Sequence, residues 1–371
     1  MELVVRKTDL LRELQLFQGI VERKNTIPIL ANVLMEADGD RVKLLATDLE
    51  VGLRSTCTAS VTKSGALTLP AKKLYEVIKA LPETDIRIHE DKNGVKVAAD
   101  RFDSRLATLP RDDFPTLPEG TGAYSATLPR DVLKNMIAKT QFAITGEDTR
   151  YFLNGALFIL RPESMSLVST DGHRLALITV PREGGTEKKG DDEIRVILPR
   201  KTLLELARLL ADGEGDIHYE RGENHLFFEV GGRLLISRMI DGQFPAFERV
   251  IPKGNDKHVE FDRDRLTSAV RRVSLLSNER SRAVKFTMDS GKVEIASSSP
   301  EFGEAKEVLL VDYTQAPVTI CFNAQYVSDF LNVVETDSVG LDFKDEMSQA
   351  VMKPVGADAY DYTYVIMPMR V

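Results

Sequence analysis

Thr8-Asp9-Leu10-Leu11, Arg130-Asp131-Val132-Leu133 and Arg263-Asp264-Arg265-Leu266 each begin a helical pattern directly after a short alternating strand. The three aspartates are 122 and 133 residues apart. Solenoid repeats are shorter, at about 20–50 residues, whereas this spacing has the size of a domain. The chain is therefore predicted to contain three similar domains, here called copies one, two and three, at 1–121, 122–253 and 254–371.

Two further markers recur in the same order. Equivalent strands end at Ala46-Thr47-Asp48, Ser169-Thr170-Asp171 and Ala296-Ser297-Ser298, and further helices follow Thr68-Leu69-Pro70, Ile197-Leu198-Pro199 and Cys321-Phe322-Asn323. Each copy thus divides into two halves, and each half contains one helix and several strands. Because runs of strands follow each helix, an α+β fold is predicted, with two helices plus antiparallel sheets in each copy. The polar run 182–193 is predicted to be a loop inside copy two.

Composition limits the class of protein. A hydrophobic fraction of 43% over 371 residues is sufficient for folded cores. Two cysteines, in different copies, do not suggest a disulfide framework or a zinc site, and a reducing cytosol is the expected location. The N-terminal residues lack the apolar stretch of a signal peptide, and no apolar run has the length of a membrane span.

The charge is divided unevenly along the chain. The net charge is −8, but the six predicted helices contain 16 Lys and Arg against 9 Asp and Glu. The remainder of the chain is correspondingly more acidic. If the helices share one surface, that surface attracts polyanions while the outside repels them.

Motifs for catalysis are weak. The five histidines form no metal-binding spacing, and phosphate-binding glycine loops and nucleophile elbows are absent. Asp171-Gly172-His173 could orient an imidazole, but Asp-Gly is also typical of a turn between strands. No catalytic residue, metal or cofactor is therefore expected. A hydrolase or nuclease that uses Asp171 and His173 is kept as an alternative, as is a static DNA-binding scaffold.

Five segments together resemble the bacterial DNA polymerase III β sliding clamps over the whole chain. They are Arg150-Tyr151-Phe152-Leu153-Asn154-Gly155, Thr170-Asp171-Gly172-His173-Arg174-Leu175-Ala176, Phe244-Pro245, Leu276-Ser277-Asn278-Glu279 and Val365-Ile366-Met367-Pro368-Met369-Arg370. The resemblance implies three clamp domains that join a second subunit head to tail in a dimeric ring. It also implies that the ring encircles duplex DNA and that proteins with a clamp-binding peptide, including the replicative polymerase subunit and the clamp loader, are partners.

The resemblance assigns a partner-peptide pocket between copies two and three. Its residues are Leu153, Thr170, Gly172, His173, Arg174, Leu175, Pro245, Arg249, Val250, Met347, Val365, Ile366, Met367, Pro368, Met369, Arg370 and Val371. For DNA contact, it points to Lys24, Lys72, Tyr151, Arg200 and Lys201, while charge alone adds Lys73, Arg150 and Arg208. At the subunit interface, it pairs Leu275 and Leu276 of copy three with Leu106 of copy one.

Overall fold

A computed structural model describes residues 1–21, 26–122, 124–146, 148–182, 193–212 and 214–370. Lys24, Val371 and nearly all of the predicted loop at 182–193 therefore lie outside the described residues. The chain separates into two compact units. Within the described residues, the first unit contains Met1–Lys134 and Lys201–Met239, and the second contains the remainder.

The predicted helices are present, each directly after a strand except α3, which Pro129 separates from the strand before it. In the described residues, these α-helices are α1 Lys7–Ile20, α2 Ala71–Ala80, α3 Arg130–Thr140, α4 Arg200–Asp212, α5 Arg263–Ser274 and α6 Ala324–Leu331. Asp9, Asp131 and Asp264 lie in the first turns of α1, α3 and α5, where a negative charge is favourable for the helix dipole. The repeated Asp thus marks a helix start in each copy.

The strands follow the predicted two-half pattern of each copy. Copy one contains β1 Glu2–Arg6, β2 Asn32–Asp38, β3 Arg41–Thr47, β4 Val51–Thr58, β5 Ser60–Lys63, β6 Gly65–Pro70, β7 Asp85–Asp91, β8 Gly94–Ala99 and β9 Phe102–Leu106. Copy two contains β10 Tyr124–Leu128, β11 Gly155–Leu160, β12 Ser164–Thr170, β13 Arg174–Pro181, β14 Ile194–Pro199, β15 Ile217–Arg221, β16 His225–Val230 and β17 Arg233–Arg238. Copy three contains β18 Lys257–Asp262, β19 Ala283–Asp289, β20 Lys292–Ser299, β21 Gly303–Leu310, β22 Val318–Asn323, β23 Ser338–Phe343, β24 Ala350–Pro354 and β25 Asp361–Ile366.

Two antiparallel sheets form the first unit. One has the strand order β5-β1-β7-β8-β9, and the other has the order β10-β15-β16-β17-β4-β3-β2-β6. In the second sheet, β17 pairs with β4, with Leu235 opposite Leu53. A strand of copy two therefore continues a sheet of copy one.

The second unit repeats this arrangement. Its larger sheet has the order β14-β11-β12-β13-β25-β24-β23-β18, and its smaller sheet has the order β21-β20-β19-β22. Here β25 of copy three pairs with β13 of copy two, with Val365 opposite Leu175. Both junctions between copies are thus continuous antiparallel ladders.

The helices bury one apolar face. On α1, Leu10, Leu14, Phe17 and Ile20 are fully buried, at the i, i+4, i+7 and i+10 spacing that places them on one side of the helix. In copy three, the Asp262 and Asn323 side chains accept hydrogen bonds from backbone N–H groups at the starts of α5 and α6. These caps satisfy donors that a helix leaves unpaired.

Candidate functional site

A cavity of about 270 Å³ lies in the second unit beside the junction of β13 and β25. Most of its exposed surface is apolar, with a few polar groups at the rim. This is the usual composition of a pocket that binds an apolar group with a fixed orientation. The lining residues are Arg150, Leu153, Thr170, Gly172, His173, Arg174, Leu175, Pro245, Phe247, Val250, Gln349, Val365 and Met367.

The pocket has an apolar floor formed by a buried cluster. Leu157, Val168 and Ile197 are opposite one another on three neighbouring strands, so their side chains share one face of the sheet. Phe247 packs on this cluster from the segment that follows β17. Its position is fixed by a short turn, in which the Phe247 N–H donates to the Pro245 carbonyl at 2.7 Å.

One wall of the pocket is the turn Thr170–Arg174. The Asp171 carboxylate accepts hydrogen bonds from the N–H groups of His173 and Arg174, at 2.9 and 3.0 Å. The Thr170 hydroxyl accepts from the Gly172 N–H and donates to the Arg174 carbonyl. Gly172 has φ +88°, a conformation that glycine adopts without a steric penalty.

Copy one contains the same turn at Thr47–Val51. Asp48 accepts from the N–H groups of Glu50 and Val51 at 2.9 and 2.7 Å, and Thr47 accepts from the Leu49 N–H and donates to the Val51 carbonyl. Leu49 has φ +78°, at the position equivalent to Gly172. The Asp-Gly-His segment is thus a repeated turn, in which the carboxylate binds backbone.

The histidine alternative has no geometric support. Within the described residues, Asp171 makes its hydrogen bonds to backbone N–H groups and to the Arg174 side chain, and none joins it to the His173 ring. The same described residues contain no group of three or more His, Cys, Asp or Glu side chains that could hold a metal ion. In the described residues, Asp171 thus does not orient the His173 imidazole as a general base of this kind would require.

The C-terminal segment forms the opposite wall. Val365 and Ile366 are both buried, but successive side chains of a strand point to opposite faces. Val365 therefore lines the cavity, whereas Ile366 does not. The Met367 N–H donates to the His173 carbonyl at 2.9 Å, which joins this segment to the turn, and the Met367 side chain remains 37% exposed.

Several residues assigned to the pocket by resemblance lie outside its lining. Besides Ile366, these are Arg249, Met347, Pro368, Met369 and Arg370. The Met369 N–H instead donates to the Cys321 carbonyl at 2.7 Å. Conversely, Arg150, Phe247 and Gln349 line the cavity although the sequence did not place them there. Two of them had a signal in the sequence, since Arg150 begins the segment that contains the pocket residue Leu153 and Phe247 is an aromatic residue just after Phe244-Pro245.

The residues predicted to contact DNA are mostly paired with carboxylates. In the first unit, Lys72 and Lys73 lie 3.9 and 2.8 Å from Glu76, Lys201 contacts Asp48, and Arg208 lies 2.7 Å from Glu205. Burial raises the pKa of Glu205, and the positive charge of Arg208 partly offsets this rise. These pairs reduce the net positive charge that the side chains present to a polyanion.

In the second unit, the predicted DNA residues lie near the pocket. Arg150 makes a two-point contact with Asp148, at 3.0 and 2.7 Å, and also lines the cavity. The hydrogen bond from Arg150 holds the pKa of Asp148 at about 2. Tyr151 is 55% exposed and packs edge-on against Phe152, while Arg200 is exposed at the first residue of α4.

The predicted interface residues lie on an edge strand in one unit and directly after a helix in the other. Leu106 ends β9, which is the last strand of its sheet, and is half-buried. In the other unit, Leu275 is 75% exposed directly after α5, and Leu276 is half-buried. Within the described residues, β9 and β21 each have a single neighbouring strand.

No helix in the described part of the chain combines the length and the apolar character that a membrane span requires.

Comparison with known proteins agrees with this architecture. Family models of the DNA polymerase III beta subunit match in order: the N-terminal domain over residues 1–118, the central domain over 127–246 and the C-terminal domain over 248–370. The beta sliding clamp of Pseudomonas putida is 40% identical over 374 residues, and that of Escherichia coli K12 is 34% identical over 372 residues. Both comparisons cover 100% of each chain.

Solved structures give the same result. The crystal structure of a Pseudomonas aeruginosa sliding clamp bound to griselimycin superposes with a TM-score of 0.93 at 36% identity. Caulobacter crescentus pol III beta superposes with a TM-score of 0.91 at 35% identity, and both matches cover 100% of each chain. The three copies are thus beta-clamp domains built from antiparallel sheets and few helices, and the chain belongs to the DNA polymerase III beta subunit family, the sliding clamps that give this polymerase processivity without catalysis of their own.

Proposed function

We propose that two copies of this chain join head to tail in a ring that encircles duplex DNA and holds the replicative polymerase on it. The observation that carries this proposal is the repeated junction between copies. At each junction, the third strand after the first helix of one copy pairs with the last strand of the next copy, as β4 with β17 and β13 with β25. In copy three, the counterpart of β4 and β13 is β21, and in copy one, the counterpart of β17 and β25 is β9. Both are edge strands in the described part of the chain.

Pairing of β21 from one chain with β9 from a second would repeat this junction. Two such contacts pair β9 and β21 of both chains, so the assembly closes at two subunits. An unpaired edge strand is otherwise a site of uncontrolled association. Closure as a ring would follow from the same contact that already joins the copies within one chain.

Exposed apolar side chains support an interface at these edges. On copy three, Leu310 is 83% exposed, Leu275 75%, Val308 48% and Phe302 47%, and on copy one Phe102 is 40% exposed. Exposed apolar residues that cluster at a sheet edge are typical of a protein–protein contact. Their burial in a dimer would remove this area from water, with a gain of roughly 25 cal/mol per Å².

The charge pattern supports weak contact with DNA. Phosphate attraction is independent of sequence and is reduced by salt, so it permits movement along the duplex. Lys201 and Arg208 share their charge with Asp48 and Glu205, which weakens attraction further. Retention would therefore depend on the closed ring, and tethering would raise the local concentration of polymerase at the primer end. The cytoplasm, where bacterial DNA lies, is the proposed location.

The pocket is proposed to bind a short segment of the polymerase subunit, the clamp loader and other partners. A volume of about 270 Å³ accommodates a small group of apolar side chains, and Leu175, Val365 and Met367 offer an apolar surface to them. Thr170 and His173 provide polar groups at the rim. Because Arg150, which is predicted to contact DNA, also lines the cavity, we propose that it contacts this segment as well.

Retention on DNA of different topology tests the ring. Purified protein would be loaded by a clamp loader on nicked circular DNA and separated from free protein by gel filtration, before and after a single restriction cut. We expect retention on the circle and loss after linearisation, with ring-shaped particles in negative-stain electron microscopy. Equal retention on both DNA forms would instead indicate a static DNA-binding scaffold.

A further inference from the structure

Arg174 is held from behind the pocket turn by residues of two other elements. Its guanidinium donates to Asp171 at 3.0 Å, to the Phe142 carbonyl at 2.6 Å, and to Asp329 of α6. It also lies between two rings, with its centre 5.3 Å from Phe142 and 4.3 Å from Tyr326. Its side chain is only 9% exposed, so its hydrogen-bonding groups are directed to the protein.

The turn itself does not require this arginine. In copy one, the equivalent turn has Val51 at the position of Arg174 and keeps the same hydrogen bonds from Asp48 and Thr47. The guanidinium of Arg174 is therefore not needed to form the turn that lines the pocket. What it adds is a link from that turn to α6.

We propose that Asp329 is a positioning residue for the peptide pocket: it holds Arg174, and through Arg174 it fixes the wall Thr170–Arg174 in the conformation that binds a partner segment. This inference rests on the proposed peptide-binding function. It assigns α6, which contains no Lys or Arg, a role in partner binding rather than in attraction of DNA.

The contacts of the turn explain how Asp329 would affect ligand binding without touching the ligand. The Arg174 carbonyl accepts from the Thr170 hydroxyl at 2.6 Å, and the neighbouring His173 carbonyl accepts from the Met367 N–H at 2.9 Å. A displacement of Arg174 would therefore shift both walls of the cavity. Binding sites need such support because small displacements of lining groups reduce affinity.

Electrostatics favour a fixed arrangement. Burial lowers the pKa of Arg174, but Tyr364, Asp329 and Asp171 more than offset this effect, and the pKa is raised. Arg174 therefore remains charged throughout the accessible pH range. A buried charge that loses a partner leaves an unsatisfied group, so Arg174 would move toward solvent or the cavity if Asp329 were neutralised.

The test compares Asp329→Asn with Arg174→Val, which copies the natural turn of copy one, and with the double variant. Asp264→Asn is the matched control, because Asp264 is 83% exposed on α5 and, among the described residues, pairs with its neighbour Arg263 alone. Affinity would be measured by fluorescence anisotropy with a labelled synthetic peptide that contains Gln and ends in Leu-Phe. Hydrogen exchange of residues 168–176 would be measured without peptide.

We expect Asp329→Asn to weaken peptide binding on the order of fivefold and to speed hydrogen exchange at Gly172 and His173 more than at residues outside the turn. The double variant should bind no worse than Arg174→Val, because both changes break one link. Additive losses, or peptide affinity and exchange equal to those of the control, would overturn the proposal. If the unaltered protein does not bind the peptide, the proposed function fails, while hydrogen exchange still decides whether Asp329 fixes the turn.

Discussion

Glu13 on α1 and Arg233 at the start of β17 form a buried two-point ion pair, with Nε–Oε2 and Nη2–Oε1 distances of 2.9 and 2.7 Å. The pair joins copy one to copy two inside the first unit. Asp212 on α4 also lies 2.7 Å from the Arg233 guanidinium. Three elements thus meet at the largely buried guanidinium of Arg233.

Removal of one partner should destabilise this unit. Arg233→Met removes the two-point partner of the buried Glu13 carboxylate and leaves it, within the described residues, the contact with the largely exposed Arg12 at 3.3 Å, so we expect the free energy of unfolding to fall by about 3 kcal/mol. Urea denaturation followed by circular dichroism would measure the change. The double variant Glu13→Leu with Arg233→Met should recover most of the loss, because no buried charge remains. Equal stability of the single and double variants would contradict this explanation.

The C-terminal wall of the pocket gives a second prediction. Met367→Ala with Pro368→Ala should weaken the binding of a polymerase-tail peptide by about 1–2 kcal/mol, because Met367 provides apolar contact area in the cavity. The dimer should persist, since both residues are distant in sequence from β9 and β21. Fluorescence anisotropy and sedimentation velocity would measure these two results.

The single variants show which residue matters. Met367→Ala alone should account for most of the loss, because Pro368 does not line the cavity. Met369→Ala is a matched control, since its backbone binds Cys321 outside the pocket. Unchanged affinity in the double variant would rule out this wall as part of the peptide site.

The β21 edge gives a third prediction. Leu310→Lys places a charge on a side chain that we expect to be buried at the subunit contact, so the dissociation constant of the dimer should rise by at least about tenfold. Sedimentation velocity across a range of protein concentrations would measure it. Val355→Lys is the control, because Val355 is an exposed apolar residue of copy three outside β21. A dimer that tolerates Leu310→Lys but not Val355→Lys would place the interface elsewhere.

Periodic segments of the sequence were sufficient to predict the helices. The predicted start of α1 at residue 8 is one residue from the observed Lys7, because the apolar spacing from Leu10 to Phe17 fits only a helix. Triplication was also visible, since each copy repeats the same strand–helix order. The boundary between β4 and β5 is not apparent in the sequence, because one strand pattern runs into the next without a clear turn signal.

Contacts between distant segments could not be predicted in this way. A strand pattern indicates which face is buried but not which strand lies beside it, so the pairing of β4 with β17 was not apparent. For the same reason, Arg174 was assigned to the pocket without its partner Asp329, which is 155 residues away. Gln349 and Arg150 became pocket residues only through the packing of the segments that carry them.

The Cys57 thiol makes the stability of the first unit depend on pH. Burial, with smaller contributions from Glu13 and Asp9, raises the pKa of Cys57 to about 12. An unfolded thiol ionises near pH 8.5, roughly, whereas the folded thiol keeps its proton. The unfolded state therefore binds fewer protons above this pH, and the free energy of unfolding should fall as pH rises from about 9 toward 12, by at most about 1.4 kcal/mol per pH unit.

Denaturation at pH 8, 9, 10 and 10.5 would show this slope in a Cys321→Ala background, because burial also raises the pKa of Cys321. Adding Cys57→Ala should make the slope shallower, and equal slopes would mean that other groups cause the alkaline loss of stability.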